Sequence, residues 1–348
     1  MILISGYYGY GNLGDEAILA ALVEQLVDLG VERSRIVVLS GNPEQTEKHH
    51  NIIAIHRYDG WRYINYLRKA KLVISGGGSL FQDVTSKRTI PYYLGIIELA
   101  FLFRVPVVIF GQGIGPVNSM VFHNWIKRVA RRARGIVVRD QVSAQFFDDL
   151  ERDIYIGCDL VFGWSKAYQP VKNKSNRMLI NLRSYPEFYS FKTEWRNLVK
   201  NLIQHSGYRV EFIALGPGDI EIGKSLAISD LVIRNPGTAE EAINEFVQTD
   251  ICISMRLHGL IFAALAQCGI IGIDYDPKIN ALGEQLEGKI VNAQVNELVH
   301  KEIHEEIERF KRDHEKIRHQ LQQQVSLLRE RYEINRFCLQ QLLEEYYG

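Results

Sequence analysis

Short apolar runs of strand length alternate with longer amphipathic stretches of helix length through most of the chain. That alternation predicts parallel α/β architecture. In the first half, residues 2–5, 35–39, 72–75, 107–110, 135–138 and 154–159 read as strands; residues 17–29 and 58–69 read as helices. A polar stretch over 166–176 then reads as a linker. The pattern restarts with strands over 178–182, 210–215, 251–254 and 269–275, and with helices over 194–205, 239–247 and 260–266. From residue 292 onward the chain is polar and helical, with Ile303, Ile307, Phe310, Ile317 and Leu321 at helical spacing on one inward stripe. The expected organisation is a Rossmann-like domain over 1–165, a linker over 166–176, a second Rossmann-like domain over 177–291, and a C-terminal helical segment over 292–348 that braces the first domain. No short internal repeat or low-complexity tract interrupts this order.

In open α/β sheets, ligands bind beyond the carboxyl ends of the strands, so the strand exits carry the functional argument. After the run Ile251-Cys252-Ile253 come Arg256, Leu257, His258 and Gly259, then an apolar helix. A helix start offers N–H groups to an anion, Arg adds a planar donor fork, and His carries a proton near neutral pH. Alone, Arg-x-His equally describes a solvated strand-end Arg and a core His. Arg183 and Lys278 close two other strands of this domain, so the four residues are expected to line one edge of its sheet.

The first domain presents four polar or glycine-rich exits. Gly9 to Gly14 matches G-x-G-x-x-G, but the second strand ends in Ser40-Gly41-Asn42, without the acidic residue a dinucleotide ribose needs. Asp15 and Glu16 follow directly and would repel a pyrophosphate, so the loop reads against NAD or FAD. Asp15 either caps the following helix, or holds polyhydroxyl ligands together with Asn12, or serves as a base. Gly76, Gly77, Gly78 and Ser79 allow close backbone approach to a ligand, and Gly111-Gln112-Gly113 forms a second glycine-rich exit. Arg139 either forks onto an anion or pairs with Asp140.

Other features are weaker. Residues 58–69 are rich in Tyr, Trp and Arg, and either pack as an ordinary helix or touch membrane headgroups or a lipid-linked substrate. Lys127, Arg128, Arg131, Arg132 and Arg134 make a basic face that is either solvated or meets anionic lipid. His300 and His304 stand four apart but lack the glutamate of H-E-x-x-H, which argues against a metal there.

Composition narrows the picture further. The 348 residues carry 41 Lys plus Arg and 41 Asp plus Glu, so no global field points to nucleic acid. The start shows no signal-peptide pattern, and no apolar run approaches the ~20 residues that span a bilayer. Four scattered cysteines suit neither a disulfide framework nor a zinc site. A cytoplasmic location is the default, and no feature specifies an oligomeric state.

Taken in order, five motifs resemble the polysaccharide pyruvyl transferase family, most closely its CsaB type. They are Gly6 to Glu16, Ser75 to Leu80, Gly111 to Pro116, Arg139-Asp140 with Ser143, and Arg256-Leu257-His258-Gly259. The resemblance covers about residues 1–290. It implies two Rossmann-like domains facing across a cleft, as in GT-B glycosyltransferases. It also implies transfer of pyruvyl from phosphoenolpyruvate (PEP) onto a sugar as a cyclic ketal, without a metal or nucleotide cofactor. The implied acceptor is an N-acetylmannosamine unit of a lipid-linked cell-wall polysaccharide precursor, reached at the inner face of the membrane. The family's PEP-contacting Arg-Leu-His corresponds to Arg256, Leu257 and His258.

On this reading Arg256, with Arg139 or Arg183, clamps the anion, and His258 is the general acid. Asp15 is the candidate base, Asn12 and Gln112 are candidate sugar contacts, and Gly77, Gly78, Ser79 and Lys278 complete the lining. Two rivals stay open: a GT-B glycosyltransferase using a nucleotide sugar, and a non-catalytic carbohydrate- or anion-binding protein.

Overall fold

The computed structural model describes residues 1–84, 88–167, 175–185 and 188–347. The middle of the expected linker, 168–174, lies outside them. The chain divides into two compact units. The first comprises Met1–Tyr10, Asp15–Trp164 and Leu328–Gly348; the second comprises Gly11–Gly14 and Ser165–Leu327.

The first unit is an all-parallel sheet with helices between its strands. Its elements are β1 (Ile2–Tyr8), α1 (Leu13–Asp28), β2 (Ile36–Ser40), α2 (Pro43–His50), β3 (Ile53–His56), α3 (Gly60–Leu67), β4 (Leu72–Ser75), β5 (Gly78–Phe81), α4 (Thr89–Leu102), β6 (Val107–Ile114), α5 (Met120–Arg132), β7 (Gly135–Val138), α6 (Gln141–Gln145) and β8 (Tyr155–Ile156). The strands run in the order β3-β2-β1-β4-β6-β7-β8, with β5 paired to β6. Order reverses between β1 and β4, the switch point at which such sheets hold ligands. Every residue of β2 and β6 is buried, which explains their uninterrupted apolar runs. Leu39, Phe81, Ile97, Ile109, Ile126 and Val138 belong to the core against which the helices pack.

The second unit repeats the plan. Its elements are β9 (Arg177–Asn181), α7 (Lys192–His205), β10 (Arg209–Ile213), α8 (Asp219–Ser225), β11 (Val232–Arg234), α9 (Ala239–Val247), β12 (Ile251–Ser254), α10 (Leu257–Leu265), β13 (Gly269–Asp274), α11 (Pro277–Leu286), β14 (Lys289–Asn292) and α12 (Glu297–Tyr346). The parallel order β11-β10-β9-β12-β13-β14 puts its switch point between β9 and β12. Asn181 lies in register with Ser254 across that pair. Helix starts follow local chemistry: Thr238 accepts from Glu241 N–H ahead of α9, and Asp276 accepts from Lys278 N–H with Pro277 opening α11. Helical dihedrals in α12 break once, at Asp313 (φ −115°, ψ 22°). No helix among the described residues is long and apolar enough to cross a membrane.

Several expected boundaries shift. The helix expected from residue 17 already begins at Leu13. The glycine-rich exit expected after residue 110 is still strand, because β6 runs on to Ile114 and absorbs Gly111, at φ +65°, as an irregularity in its pairing with β7. Of the triple glycine only Gly78 has positive φ (+94°), and a short strand starts there. All four cysteines are buried and unpaired. Burial pushes the thiols of Cys158 and Cys252 well up, so they are inert packing groups.

The end of α12 is fixed to the first unit by Asn335. Its Oδ1 accepts from Cys158 N–H at 3.0 Å, and its Nδ2 donates to Cys158 O at 3.3 Å. Asn335→Leu strands both backbone groups and should cost about 1–3 kcal/mol for each buried group left unpaired. A lower midpoint in urea unfolding checks this, and an unchanged midpoint would show that the pair contributes nothing.

Candidate active site

The best-defined cluster lies at the switch point of the second unit and is built on Asp219, which is 0% exposed. Its Oδ2 accepts from Leu215 N–H (2.9 Å), Gly216 N–H (3.1 Å), Asn181 Nδ2 (3.0 Å) and Arg256 Nε (2.7 Å). Arg256 Nη2 adds a second bond to Oδ1 at 2.6 Å. The planar fork of Arg256 is therefore spent on a carboxylate of its own chain. A methyl on Gly216 would lie 2.7 Å from the guanidinium carbon, so a side chain there would displace Arg256 from Asp219.

Arg256 is also the N-cap residue of α10, and Leu257 and His258 are that helix's first two residues. Ser254 Oγ accepts from Arg256 N–H at 3.0 Å and closes the turn. His258 lies against Gly14: a methyl on Gly14 would lie 2.2 Å from its Nδ1. The Gly11–Gly14 segment is held there by Leu13 N–H donating to Leu215 O at 2.9 Å. Residues 11–14, where Asn12 sits, and residues 256–258 thus share one neighbourhood within this unit.

Arg183 leaves the end of β9, the strand next to β12, and its N–H meets Met255 Sδ at 3.4 Å. Its Nη1 donates to Tyr275 OH at 2.8 Å, and its guanidinium carbon lies 5.1 Å from the Tyr275 ring centre. Its Nε is buried with no hydrogen-bond partner among the described residues. Lys278, at the start of α11, pairs with Asp276 at 2.9 Å.

The first unit has its own polar group at the carboxyl edge of its sheet. Arg139 is 7% exposed and reaches Asp140 Oδ2 (3.2 Å), Asp159 Oδ2 (3.5 Å) and Ser79 Oγ (3.2 Å). Asp140 also caps α6, accepting from Ser143 N–H at 2.7 Å. Gln112 is fully buried; its Nε2 donates to Ser75 O (3.1 Å) and Ser75 Oγ (2.7 Å). Asp15 lies over Gly78, where a methyl would be 2.8 Å from its Oδ1. Gly77 serves close packing, since a methyl there would lie 2.8 Å from Ile18 and 3.1 Å from Gly111 O. Burial, and then the Asp15 carboxylate, raise the Tyr8 phenol well above its ordinary pKa, so Tyr8 stays a neutral donor.

At the G-x-G-x-x-G loop, Glu16 Oε1 accepts from Gly9 N–H at 2.8 Å. A carboxylate holds the kind of N–H that a dinucleotide phosphate would use. His304 Nε2 bonds Asn201 Oδ1 at 2.6 Å. No three His, Cys, Asp or Glu side chains among the described residues gather into a metal-holding group.

Of the residues expected from sequence, Arg183, Arg256, Leu257, His258 and the loop carrying Asn12 come together in the second unit. Asp15, Gly77, Gly78, Ser79, Gln112 and Arg139 line the sheet edge of the first. Sequence reasoning missed Asp219 as the anchor of Arg256 and Tyr275 as the partner of Arg183. The only local signal for Asp219 was its place after Gly216-Pro217-Gly218 at a strand exit.

Two parallel sheets of this order, each with its polar residues at the carboxyl edge, and a long C-terminal helix define a GT-B-like α/β protein. Solved structures of that kind agree. HepE from Anabaena, in complex with UDP, shares 12% identity over 99% of both chains with a TM-score of 0.62. A putative UDP-N-acetylglucosamine 2-epimerase from Listeria monocytogenes shares 12% over 91% of this chain and 90% of its own, with a TM-score of 0.64. MnaA from S. aureus, bound to UDP, shares 11% over 92% and 90%, with a TM-score of 0.62. No curated protein sequence matches the chain. The chain belongs to the polysaccharide pyruvyl transferase family, whose profile matches residues 12–277.

Because Asp219 takes two bonds from the Arg256 fork, Asp219→Asn should destabilise the second unit by about 3–5 kcal/mol, the usual effect of breaking a buried pair by altering one member. Urea unfolding of the variant tests this; a shift below ~1 kcal/mol would mean that solvent replaces the lost partner.

Proposed function

We propose that this protein transfers a pyruvyl group from PEP onto a sugar and closes a cyclic ketal across two of the sugar's hydroxyls. The observation that carries the choice of donor is Arg183. It ends a strand at the switch point, next to the strand that leads to His258, and its buried Nε has no partner among the described residues. A guanidinium held by a phenol rather than a carboxylate keeps donors and charge for a ligand anion. PEP brings a carboxylate and a phosphate. Arg183 takes one of them, and the N-terminal N–H groups of α10 favour the other. Arg256, engaged with Asp219, fixes the start of α10 without being the main clamp.

Protonation of C3 by His258 turns the enol carbon C2 into an electrophile. One sugar hydroxyl adds to C2, phosphate leaves, and a second hydroxyl closes the ring. Of the two hydroxyl protons released, one replaces the proton that His258 gave to C3 and the other leaves with phosphate, so PEP and a diol give a ketal and inorganic phosphate. Asp15 is the proposed base for the attacking hydroxyl, and Asn12, Ser79 and Gln112 are proposed contacts of the sugar. The acceptor we propose is an N-acetylmannosamine unit of a lipid-linked cell-wall polysaccharide precursor, as in the CsaB type, met at the cytoplasmic face of the membrane, with no metal or nucleotide cofactor.

The test is incubation of the purified protein with PEP and an N-acetylmannosamine-terminated acceptor, following phosphate release and acceptor mass together. Acceptor-dependent phosphate with a pyruvyl mass gain is expected. Stabilisation by UDP, with no response to PEP, would reject this reading in favour of a nucleotide-sugar enzyme.

Two variants divide the roles. His258→Ala should abolish phosphate release while PEP binding persists; undiminished release would end its assignment as the acid. Arg183→Met should weaken PEP binding about 10- to 100-fold, the scale of a charge-assisted hydrogen bond. Unchanged PEP affinity in a folded Arg183→Met protein would move the clamp elsewhere.

A further inference from the structure

A second arginine, Arg57 in the first unit, is surrounded by tyrosines and makes no ion pair among the described residues. Arg57 directly follows β3, and its N–H donates to Ser40 O, at the end of β2, at 2.9 Å. That puts it at the ligand-bearing edge of the sheet. Its guanidinium carbon lies 3.9 Å from the ring centre of Tyr92, 5.3 Å from Tyr10, and 5.4 Å from both Tyr58 and Tyr93. Its Nε is buried with no hydrogen-bond partner among the described residues. Three segments build this cradle. The β1–α1 loop gives Tyr10, which stacks on Tyr7 at 4.6 Å; the β3–α3 loop gives Arg57 and Tyr58; α4 gives Tyr92 and Tyr93. Tyr92 OH donates to Arg57 O at 3.0 Å and fixes the arrangement, and Gly41 is glycine because a methyl there would lie 2.6 Å from the Tyr10 ring.

Ring faces stabilise a cation without neutralising it. The cradle therefore keeps a partly desolvated positive charge whose natural complement is an anion. Beside it the chain offers exposed rings: Tyr58 is 70% exposed, and Trp61, at the start of α3, is 71% exposed. Large exposed rings suit flat apolar ligand faces, such as those of a pyranose. We propose that this cradle is the acceptor subsite of the first unit and that it takes an anionic saccharide. Arg57 holds a phosphoryl or carboxylate group, and Tyr58 and Trp61 stack on the sugar ring. The inference rests on the pyruvyl-transfer reading for calling the saccharide an acceptor, and on the cradle alone for its charge.

The experiment is calorimetric titration of the full chain with N-acetylglucosamine 1-phosphate, glucuronic acid, N-acetylglucosamine and inorganic phosphate, with PEP titrated in parallel. The sugar phosphate or the uronic acid should bind at least about tenfold more tightly than the neutral sugar, and the stronger of the two names the anion. Arg57→Gln should remove that preference and leave PEP affinity unchanged. Trp61→Ala and Tyr58→Ala alter exposed rings and so preserve the fold; each should weaken the sugar phosphate severalfold without weakening inorganic phosphate.

Equal binding of neutral and charged sugars, or an unaltered preference in folded Arg57→Gln, overturns the proposal. So does inorganic phosphate binding as well as the sugar phosphate with no response to Trp61→Ala. If Arg57→Gln does not fold, the two aromatic variants decide. Pyruvyl transfer without any Arg57-dependent preference would reject this subsite and leave the transferase standing. An Arg57-dependent preference in a protein inert toward PEP would reject the transferase reading and leave the subsite.

Discussion

The second unit depends on one buried carboxylate. An ionised Asp removed from water is strongly unfavourable unless its oxygens are met by donors. Asp219 is met by two backbone N–H groups of the β10 exit, an amide from the end of β9, and the fork of Arg256 before α10. The need to satisfy that single charge ties three strand exits together. Much else follows from it. Arg256 approaches where residue 216 lacks a side chain, and Ser254 closes the turn into α10 where residue 259 lacks one, since a methyl on Gly259 would lie 2.2 Å from Ser254 Oγ. His258, two residues after Arg256, is then placed by that framework at the start of α10.

The same reasoning sorts the arginines. Arg139, like Arg256, is nearly buried and surrounded by its own carboxylates, Asp140 and Asp159. Such a residue holds loops in place. Arg183 and Arg57 are bordered by tyrosines instead. Phenol oxygens and ring faces orient a guanidinium while leaving its charge uncancelled. With 41 basic and 41 acidic residues the molecule has no net field with which to gather anions. Local affinity for an anion can therefore come only from cations that the fold leaves uncompensated.

The architecture was legible because strand and helix periods differ and both sheets are buried on both faces. The strand runs, the α9 boundaries and the polar strand exits all follow from that pattern. Boundaries slipped where glycine was taken as a loop marker. Gly111 lies inside β6, and Gly78 opens β5, since a buried strand tolerates a glycine where helix or side chain comes close. The site was legible as a set of residue types at strand ends and not as a set of bonds. Nothing in the local sequence of Arg256 says that its partner is Asp219 on another exit, or that Gly14 is small because of His258. Arg57 was the least visible. Its four rings come from three separate segments, and each segment alone reads as an ordinary aromatic surface.

That difference has a physical basis. Periodicity reports burial, a property each residue has by itself, whereas charge compensation is a property of pairs. Two arginines that each follow a strand differ in the group that comes to meet them, a carboxylate or a phenol. For Arg256 the carboxylate comes from the β10 exit; for Arg183 the phenol comes from the end of β13, through Tyr275. The assignment of clamp and scaffold thus rests on the order of strands in the sheet, which decides which exits become neighbours. The five family motifs include Arg256 and not Arg183, and only the folded sheet shows that a carboxylate meets the first and a phenol the second.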